Sequence, residues 1–149
     1  MGLRDMSQLY KQVVLDHAKY PRNFGEVDHA TETETLRNPS CGDEITVALT
    51  VQDDLITDIH FHGIGCTISK ASTSMMTLAL TGKTLPEAQK LIKAFQNNVI
   101  NKAISPAEQA ELGDASLLST VAQFPTRVRC ATLGWHVSEN IINELKGAE

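Results

Sequence analysis

Two adjacent segments of alternating polarity are the feature that most restricts the fold of this 149-residue chain. Apolar side chains occupy every second position over residues 44–52, and the alternation resumes over residues 55–62. A period of two places successive side chains on opposite faces of a β-strand. The Asp53-Asp54 pair between the segments is a turn signal, so the sequence predicts an antiparallel hairpin.

A further strand is predicted before the hairpin, over residues 31–37, where Thr and Glu alternate as in an exposed or edge strand. The segments after the hairpin carry helical signals instead. Residues 67–80 are rich in Ser, Ala and Met, and Gly82 ends the helix that they predict. Because the strands come first and most helices after them, we expect an α+β fold. The length is that of one domain, residues 1–149.

Capping and breaking residues delimit the predicted helices. A Ser or Thr followed three residues later by Glu forms a capping box, and proline fits only the first turn of a helix or ends one. On these signals we predict helices that start near Ser7, Thr84, Ser105, Asp114 and Arg127, with the first ending at Pro21 and the last running to Lys146.

The charge and the apolar runs exclude several classes of protein. Lys and Arg number 13 and Asp and Glu 18, for a net charge of −5, which is the opposite of the basic footprint of a nucleic-acid binder. No apolar run approaches the roughly 18 residues of a membrane-spanning helix. The first residues lack a secretory signal. We therefore expect a cytoplasmic protein with neither nucleic acid nor membrane as its partner.

The three cysteines all lie at predicted element boundaries. Cys41 precedes the first hairpin strand, Cys66 opens the helix after the second, and Cys130 falls in the predicted first turn of the last helix. Three distant cysteines in a reducing compartment do not make a disulfide framework. Because the hairpin runs out and back, we expect Cys41, Asp43 and Cys66 to meet in space.

These residues match the ligand preferences of zinc. A divalent cation removes the repulsion between neighbouring thiolates, and Zn²⁺ accepts Cys sulfur and Asp oxygen. Cys41, Asp43, Cys66 and Cys130 together supply four ligands. The competing interpretation is that the cysteines are small buried hydrophobes, since free cysteine is among the most buried residue types and no CxxC pair is present. The residues alone leave both interpretations open.

The histidines are weaker candidates for chemistry. His60 and His62 share one strand face and are interpreted as a solvated face rather than as ligands. His136 lies beyond Cys130 on the last helix and is interpreted as a surface residue; its alternative role is that of a base or ligand, for example beside Cys66. The residues interpreted as core are Trp135, Met75 and Met76.

Two arginines, Arg127 and Arg129, precede the third cysteine. One interpretation is a solvated basic edge. The other is that their charge stabilises the thiolate of Cys130 or meets an acidic partner.

Four stretches carry a resemblance to a known family. They are Asn38-Pro39-Ser40-Cys41-Gly42-Asp43, Gly63-Ile64-Gly65-Cys66-Thr67-Ile68-Ser69, Arg129-Cys130-Ala131-Thr132-Leu133 and the opening segment 16–25. Together they resemble the U-type proteins of iron–sulfur cluster assembly, the family of IscU, SufU and the N-terminal part of NifU. The resemblance spans nearly the whole chain. It implies the SufE/NifU (IscU-like) fold, a small antiparallel sheet with helices on one side. It also implies that Cys41, Asp43, Cys66 and Cys130 hold a metal or a cluster.

Within the family, three departures favour the SufU branch. IscU-type scaffolds carry His immediately before the third cysteine, where this chain has Arg129. Their Leu-Pro-Pro-Val-Lys chaperone motif is replaced here by Gln-Phe-Pro-Thr-Arg over residues 123–127. Residues 95–119 also form a longer stretch than in those scaffolds, as in SufU proteins.

The resemblance therefore implies a zinc-dependent sulfurtransferase that accepts persulfide sulfur on Cys41. The donor would be a SufS-type cysteine desulfurase, a pyridoxal-phosphate enzyme, and Arg127 and Arg129 would assist docking. One alternative is a scaffold that builds a [2Fe–2S] cluster with other cluster-assembly proteins. The alternative from another class is a zinc-stabilised interaction module.

Overall fold

A three-stranded antiparallel sheet forms the first part of the fold, with β1 (Glu32–Arg37), β2 (Glu44–Gln52) and β3 (Leu55–Ile64) in the order β1-β2-β3. The computed structural model describes residues 3–26, 29–39 and 42–147, with side-chain detail from residue 8 onward. Asp53 and Asp54 connect β2 to β3 with φ of +54° and +65°. Two positive φ values are what a tight hairpin turn requires. The predicted hairpin is confirmed.

One helix precedes the sheet in the sequence, and the other helices come after it. They are α1 (Leu3–Lys19), α2 (Thr67–Leu80), α3 (Leu85–Asn98), α4 (Pro106–Leu112), the 3₁₀ helix η1 (Gly113–Val121) and α5 (Pro125–Gly147). The capping boxes predicted at Thr84 and Ser105 are both present, each with its Glu side chain bonded back to the cap. The α+β class is confirmed, because the sheet and the helices occupy separate parts of the chain.

At three helices the observed start or cap differs from the predicted one. Ser7 lies inside α1, which already begins at Leu3. The last helix begins at Pro125, because proline fits the first turn of a helix, where its missing N–H is not needed. Asp114 does not cap a helix; it lies within η1, and its carboxylate contacts His17 on α1 instead.

Ile56 departs from the alternation predicted over residues 55–62. Strict alternation places it opposite Ile59 and Phe61, yet all three side chains are buried. The β2–β3 register shifts where Thr50 pairs with Asp58 and the next residue pairs with Ile56. One extra residue in β3 forms a β-bulge there, and a bulge reverses the parity of a strand. Ile56 can therefore join the core.

The core lies on one side of the sheet, against α2 and α5. Helix α5 packs on β1 and β2, α2 packs on β3, and these two helices also pack on each other. Trp135 is fully buried, stacks on Phe95 with ring centroids 3.9 Å apart, and donates its indole N–H to Ser72. Met75 and Met76 are buried too, so the predicted core positions are confirmed. Among the helices of the described residues, none combines the length and apolarity needed to cross a membrane.

Candidate metal centre

The β2–β3 pairing brings Asp43 next to Cys66. Glu44 pairs with Ile64 at the open end of the hairpin, so the residue before β2 lies beside the residues after β3. The Cys66 backbone N–H donates to Asp43 Oδ1 at 3.1 Å. The predicted meeting of these two residues is observed. Its cause is the hairpin register, since antiparallel strands return the chain to its starting edge.

Cys66 is the N-cap of α2, as its place before the helix predicts. Its Sγ accepts the Ser69 N–H at 3.5 Å, and its side chain is exposed. The tight turn depends on Gly65, because a Cβ at that position would lie 2.3 Å from Ser69 Oγ. The Gly-Cys sequence thus places a thiol at the positive end of a helix, where thiolate is favoured.

Cys130 reaches the site from α5, but not from its first turn. Because α5 begins at Pro125, Cys130 lies in the second turn, where the helix dipole acts on it less than in the first turn. The side chain is 5% exposed. Its position follows from the packing of α5 on α2. That packing is close at Gly134, where a Cβ would lie 2.4 Å from Thr73 Oγ1.

Three potential metal ligands converge at this point. Ligand atoms of Asp43, Cys66 and Cys130 all lie within 4.8 Å of one another. Asp43 is 5% exposed, and its Oδ2 is buried without a hydrogen-bond partner. An unpaired carboxylate oxygen in a buried position is costly unless a cation or a donor satisfies it. One oxygen and two sulfurs form a donor set that suits zinc, so the residues fit the implied metal.

The fourth predicted ligand, Cys41, lies outside the described residues. The loop ends beside it are described: Asn38 N–H donates to Asp43 O, and Gly42 N–H donates to Asn38 O, each at 2.8 Å. The place of Cys41 in the ligand set therefore stays a prediction from the sequence.

The structure brings none of the candidate histidines into this ligand group. His60 Nδ1 lies 3.0 Å from Asp58 Oδ2, and His62 Nε2 lies 3.9 Å from Glu26 on the partly exposed strand face. His136 is exposed and lies near Glu139. Within the described part of the chain, the group around Cys66 contains Asp43 and Cys130 but no histidine. The pairing of Cys66 with His136 therefore finds no support.

Both predicted arginines are exposed near the start of α5. Arg127 lies with its guanidinium carbon 5.2 Å from the centroid of the Phe124 ring, and it lines a groove shared with Cys66. This places one cation beside the site without making it a ligand.

Sequence reasoning missed a polar cluster around the buried side chain of His17. His17 is 1% exposed; its Nδ1 lies 2.8 Å from Ser74 Oγ and its Nε2 lies 3.0 Å from Asp114 Oδ2. Ser74 Oγ also accepts the Arg22 backbone N–H at 2.8 Å. The cluster ties α1 to α2 and η1. The available signal was the position of His17 on the apolar face of α1, which indicates burial but does not identify partners so distant in sequence.

Comparison with known proteins identifies relatives along the whole chain. The family model described as the NifU-like N terminal domain matches residues 9–131. The iron–sulfur cluster assembly scaffold protein IscU of Streptococcus pyogenes serotype M1 is 44% identical over 149 residues, covering 100% of this chain and 92% of that protein. The zinc-dependent sulfurtransferase SufU of Bacillus subtilis (strain 168) is 37% identical over 143 residues, covering 96% and 95%.

Solved structures agree with these matches. A SufU from Fervidobacterium islandicum AW-1, described as an iron–sulfur cluster assembly scaffold protein for the SUF system, has a TM-score of 0.81 at 33% identity, covering 93% of this chain and 97% of that one. A NifU-like N-terminal protein from Brucella abortus has a TM-score of 0.84 at 19% identity, covering 97% and 99%. At that identity the second match shows the fold alone.

Proposed function

Because this chain belongs to the family of NifU-like N-terminal domains, which serves iron–sulfur cluster assembly, we propose that it is a zinc-dependent sulfurtransferase that accepts persulfide sulfur on Cys41. The observation that carries the proposal is the convergence of Asp43, Cys66 and Cys130 around the buried, unpartnered Oδ2 of Asp43. Cys41 completes the proposed ligand set. When bound there, zinc would keep the thiols deprotonated and neutralise their mutual repulsion.

The three cysteines have two different roles in this proposal, that of a permanent metal ligand and that of the reacting thiolate. Cys66 is fixed by the helix it caps, and Cys130 is buried in α5, so both are suited to a permanent ligand role. Cys41 lies next to Gly42, whose φ of +77° marks a turn that favours glycine. We therefore assign the reacting thiolate to Cys41 rather than to either helix-bound cysteine.

The proposed transfer is a thiol–persulfide exchange. The Cys41 thiolate attacks the terminal sulfur of a persulfide on a SufS-type cysteine desulfurase. A bond forms between Cys41 Sγ and that sulfur, and the donor's S–S bond breaks. The desulfurase cysteine leaves as a thiolate, so no external oxidant or reductant is needed. Arg127 and Arg129 add positive charge on the side where the donor approaches.

The test measures alanine release by the desulfurase with and without the zinc-loaded protein. We expect strong stimulation by the wild type, a mass increase of one sulfur on Cys41, and neither effect for Cys41→Ala. That variant should keep the far-ultraviolet circular dichroism of the wild type. Normal sulfur loading of Cys41→Ala would exclude Cys41 as the acceptor.

The scaffold function is the second candidate, because the relative from S. pyogenes, at 44% identity, bears the scaffold name. Two thiolates and a carboxylate also suit a [2Fe–2S] cluster as cargo. Anaerobic reconstitution followed by Mössbauer spectroscopy separates the two functions. A stable cluster that transfers to an acceptor protein, together with no stimulation of alanine release, would favour the scaffold.

A further inference from the structure

A groove of about 520 Å³ opens beside Cys66. One wall is α1, and the opposite side is formed by the start of α2 and by Arg127 at the start of α5. The groove is thus continuous with the candidate metal centre, because Cys66 belongs to both. Its apolar lining consists of Tyr10, Val14, Leu15 and Ile68.

One apolar side chain of α1 lines this groove without being buried in the core. Val14 is 3% exposed and completes the packing of α1 on the core, whereas its neighbour Leu15 is 61% exposed. A single exposed leucine is ordinary on a protein surface. This one lines a groove to which three other apolar residues also contribute, so it extends a contact surface that includes Cys66.

The charge of the groove is opposite to that of the chain. The chain carries a net charge of −5. Yet among the described residues that line the groove, the charged ones are Lys11 and Arg127, both cationic and both exposed. The contact of Arg127 with the Phe124 ring holds its guanidinium at this edge. An occupant complementary to the groove combines apolar side chains with at least one carboxylate.

We propose that this groove binds an acidic, apolar segment of the sulfur-donating desulfurase. The inference rests on the proposed function and adds to it the surface that holds the donor. Apolar side chains of the segment would contact Tyr10 and Leu15, while its carboxylate would pair with Lys11 and Arg127. Binding there brings the donor's surface to the edge of the site at Cys66, which a transfer between two proteins requires.

The test compares two groove variants with two matched controls. Lys11→Glu reverses one charge of the groove, and Lys93→Glu makes the same change on the exposed face of α3, which packs on α4, α5 and η1. Leu15→Gln removes the exposed apolar side chain, and Leu78→Gln does so at a comparably exposed position of α2. All four variants change exposed side chains, so circular dichroism should match the wild type. The readout is the dissociation constant for the zinc-loaded protein with the desulfurase, measured by titration calorimetry at low and high salt.

We expect Lys11→Glu to weaken binding about five- to twentyfold at low salt and to reduce its salt dependence, because an attraction becomes a repulsion. Leu15→Gln should weaken binding at both salt concentrations, and the two controls should bind as the wild type does. Equal affinities for the groove variants and their controls would overturn the proposal.

The outcomes separate this inference from the proposed function. If the wild type accepts sulfur while the groove variants bind normally, only the groove assignment fails. If the groove variants lose affinity but the wild type never acquires a persulfide, the groove stands and the sulfurtransferase assignment fails. If the wild type does not bind the desulfurase, both fail.

A photo-crosslinking residue at position 15 identifies the bound segment directly. We expect it to capture a desulfurase peptide that contains Asp or Glu next to apolar residues, whereas the same probe at position 78 captures none. A captured peptide without acidic residues, or no capture from position 15, would overturn the proposal.

Discussion

Asp43 shows how much one residue does at the candidate site. Its Oδ1 accepts the Cys66 backbone N–H and so ties the start of β2 to the start of α2. Its Oδ2, buried and without a hydrogen-bond partner, is the oxygen available to a cation. One carboxylate thus orients the turn that carries Cys66 and contributes a ligand to the same group.

Replacing Asp43 should separate these two tasks. Asp43→Asn keeps an oxygen for the Cys66 N–H but loses the negative charge, so we expect zinc affinity to fall by at least the roughly 10- to 100-fold that loss of a supporting partner costs. Competition with a chromophoric chelator measures this. Asp114→Asn, a carboxylate outside the ligand group, is the control. Unchanged affinity in Asp43→Asn would remove Asp43 from the ligand set.

A second carboxylate, Glu34 on β1, predicts a pH effect. Burial, followed by the negative charges of Glu144 and Glu32, raises the pKa of Glu34. At a pH above this raised pKa, the ionisation of Glu34 lowers the free energy of unfolding. This loss of stability disappears as the pH falls below 4.5, the ordinary pKa of the group. Glu34→Gln should stabilise the protein at pH 7 by less than about 1 kcal/mol, since the site is partly solvated, and should make no difference near pH 4.

Urea unfolding at the two pH values measures that difference, with the exposed Glu111→Gln as control. Destabilisation by Glu34→Gln at pH 7 would contradict the argument.

At the scale of elements, the site depends on the approach of α5 to α2. Helix α2 carries Cys66 at its N-cap, and α5 carries Cys130 in its second turn. Gly134, one turn beyond Cys130, allows the two helices to approach closely enough for the cysteines to meet, because any Cβ there would overlap Thr73. The position of Cys130 therefore depends on the packing of α5 against α2.

Gly134→Ala should therefore destabilise the protein despite the higher helix propensity of alanine. The added methyl would lie 2.4 Å from Thr73 Oγ1, and overpacking of this kind costs about 1–3 kcal/mol. Gly147→Ala, also on α5 but with nothing within 4 Å of the added Cβ, is the matched control and should be neutral or slightly stabilising. Thermal unfolding with and without zinc measures both variants. A Gly134→Ala protein as stable as the control would show that the helices can separate without cost.

At the scale of the whole molecule, the core does not depend on the candidate metal centre. The large buried side chains, among them Trp135, Phe95 and Phe61, lie where α2 and α5 pack against the sheet and where α3 packs on α5. The ligand group lies at one end of the sheet, where β2 begins and β3 ends. The fold therefore has a source of stability apart from the metal.

Removal of zinc should lower the melting temperature without unfolding the protein at 25 °C. A ligand that binds only the native state stabilises it by mass action, but the apolar core remains when that ligand is removed. Circular dichroism with and without a chelator measures the shift. Cys66→Ser, which lacks a ligand, should show a smaller shift. Complete unfolding by the chelator would instead favour the zinc-stabilised interaction module.

Much of the fold was predictable from the sequence because its signals are local. The hairpin follows from the alternation on either side of Asp53-Asp54, and the starts of α3 and α4 follow from capping boxes within four residues of chain. The meeting of Asp43 with Cys66 was predictable for the same reason, since a hairpin closes on itself.

Only the tertiary structure decided the remaining features, because they depend on contacts between distant segments. The bulge that turns Ile56 inward depends on how β2 and β3 pair, and the partners of His17 come from α2 and η1. Cys130 joins the ligand group because α5 packs closely on α2, which no local pattern encodes. Hydrogen bonds within a turn or a helix are set by neighbouring residues, whereas the approach of two helices is set by the packing of the whole core.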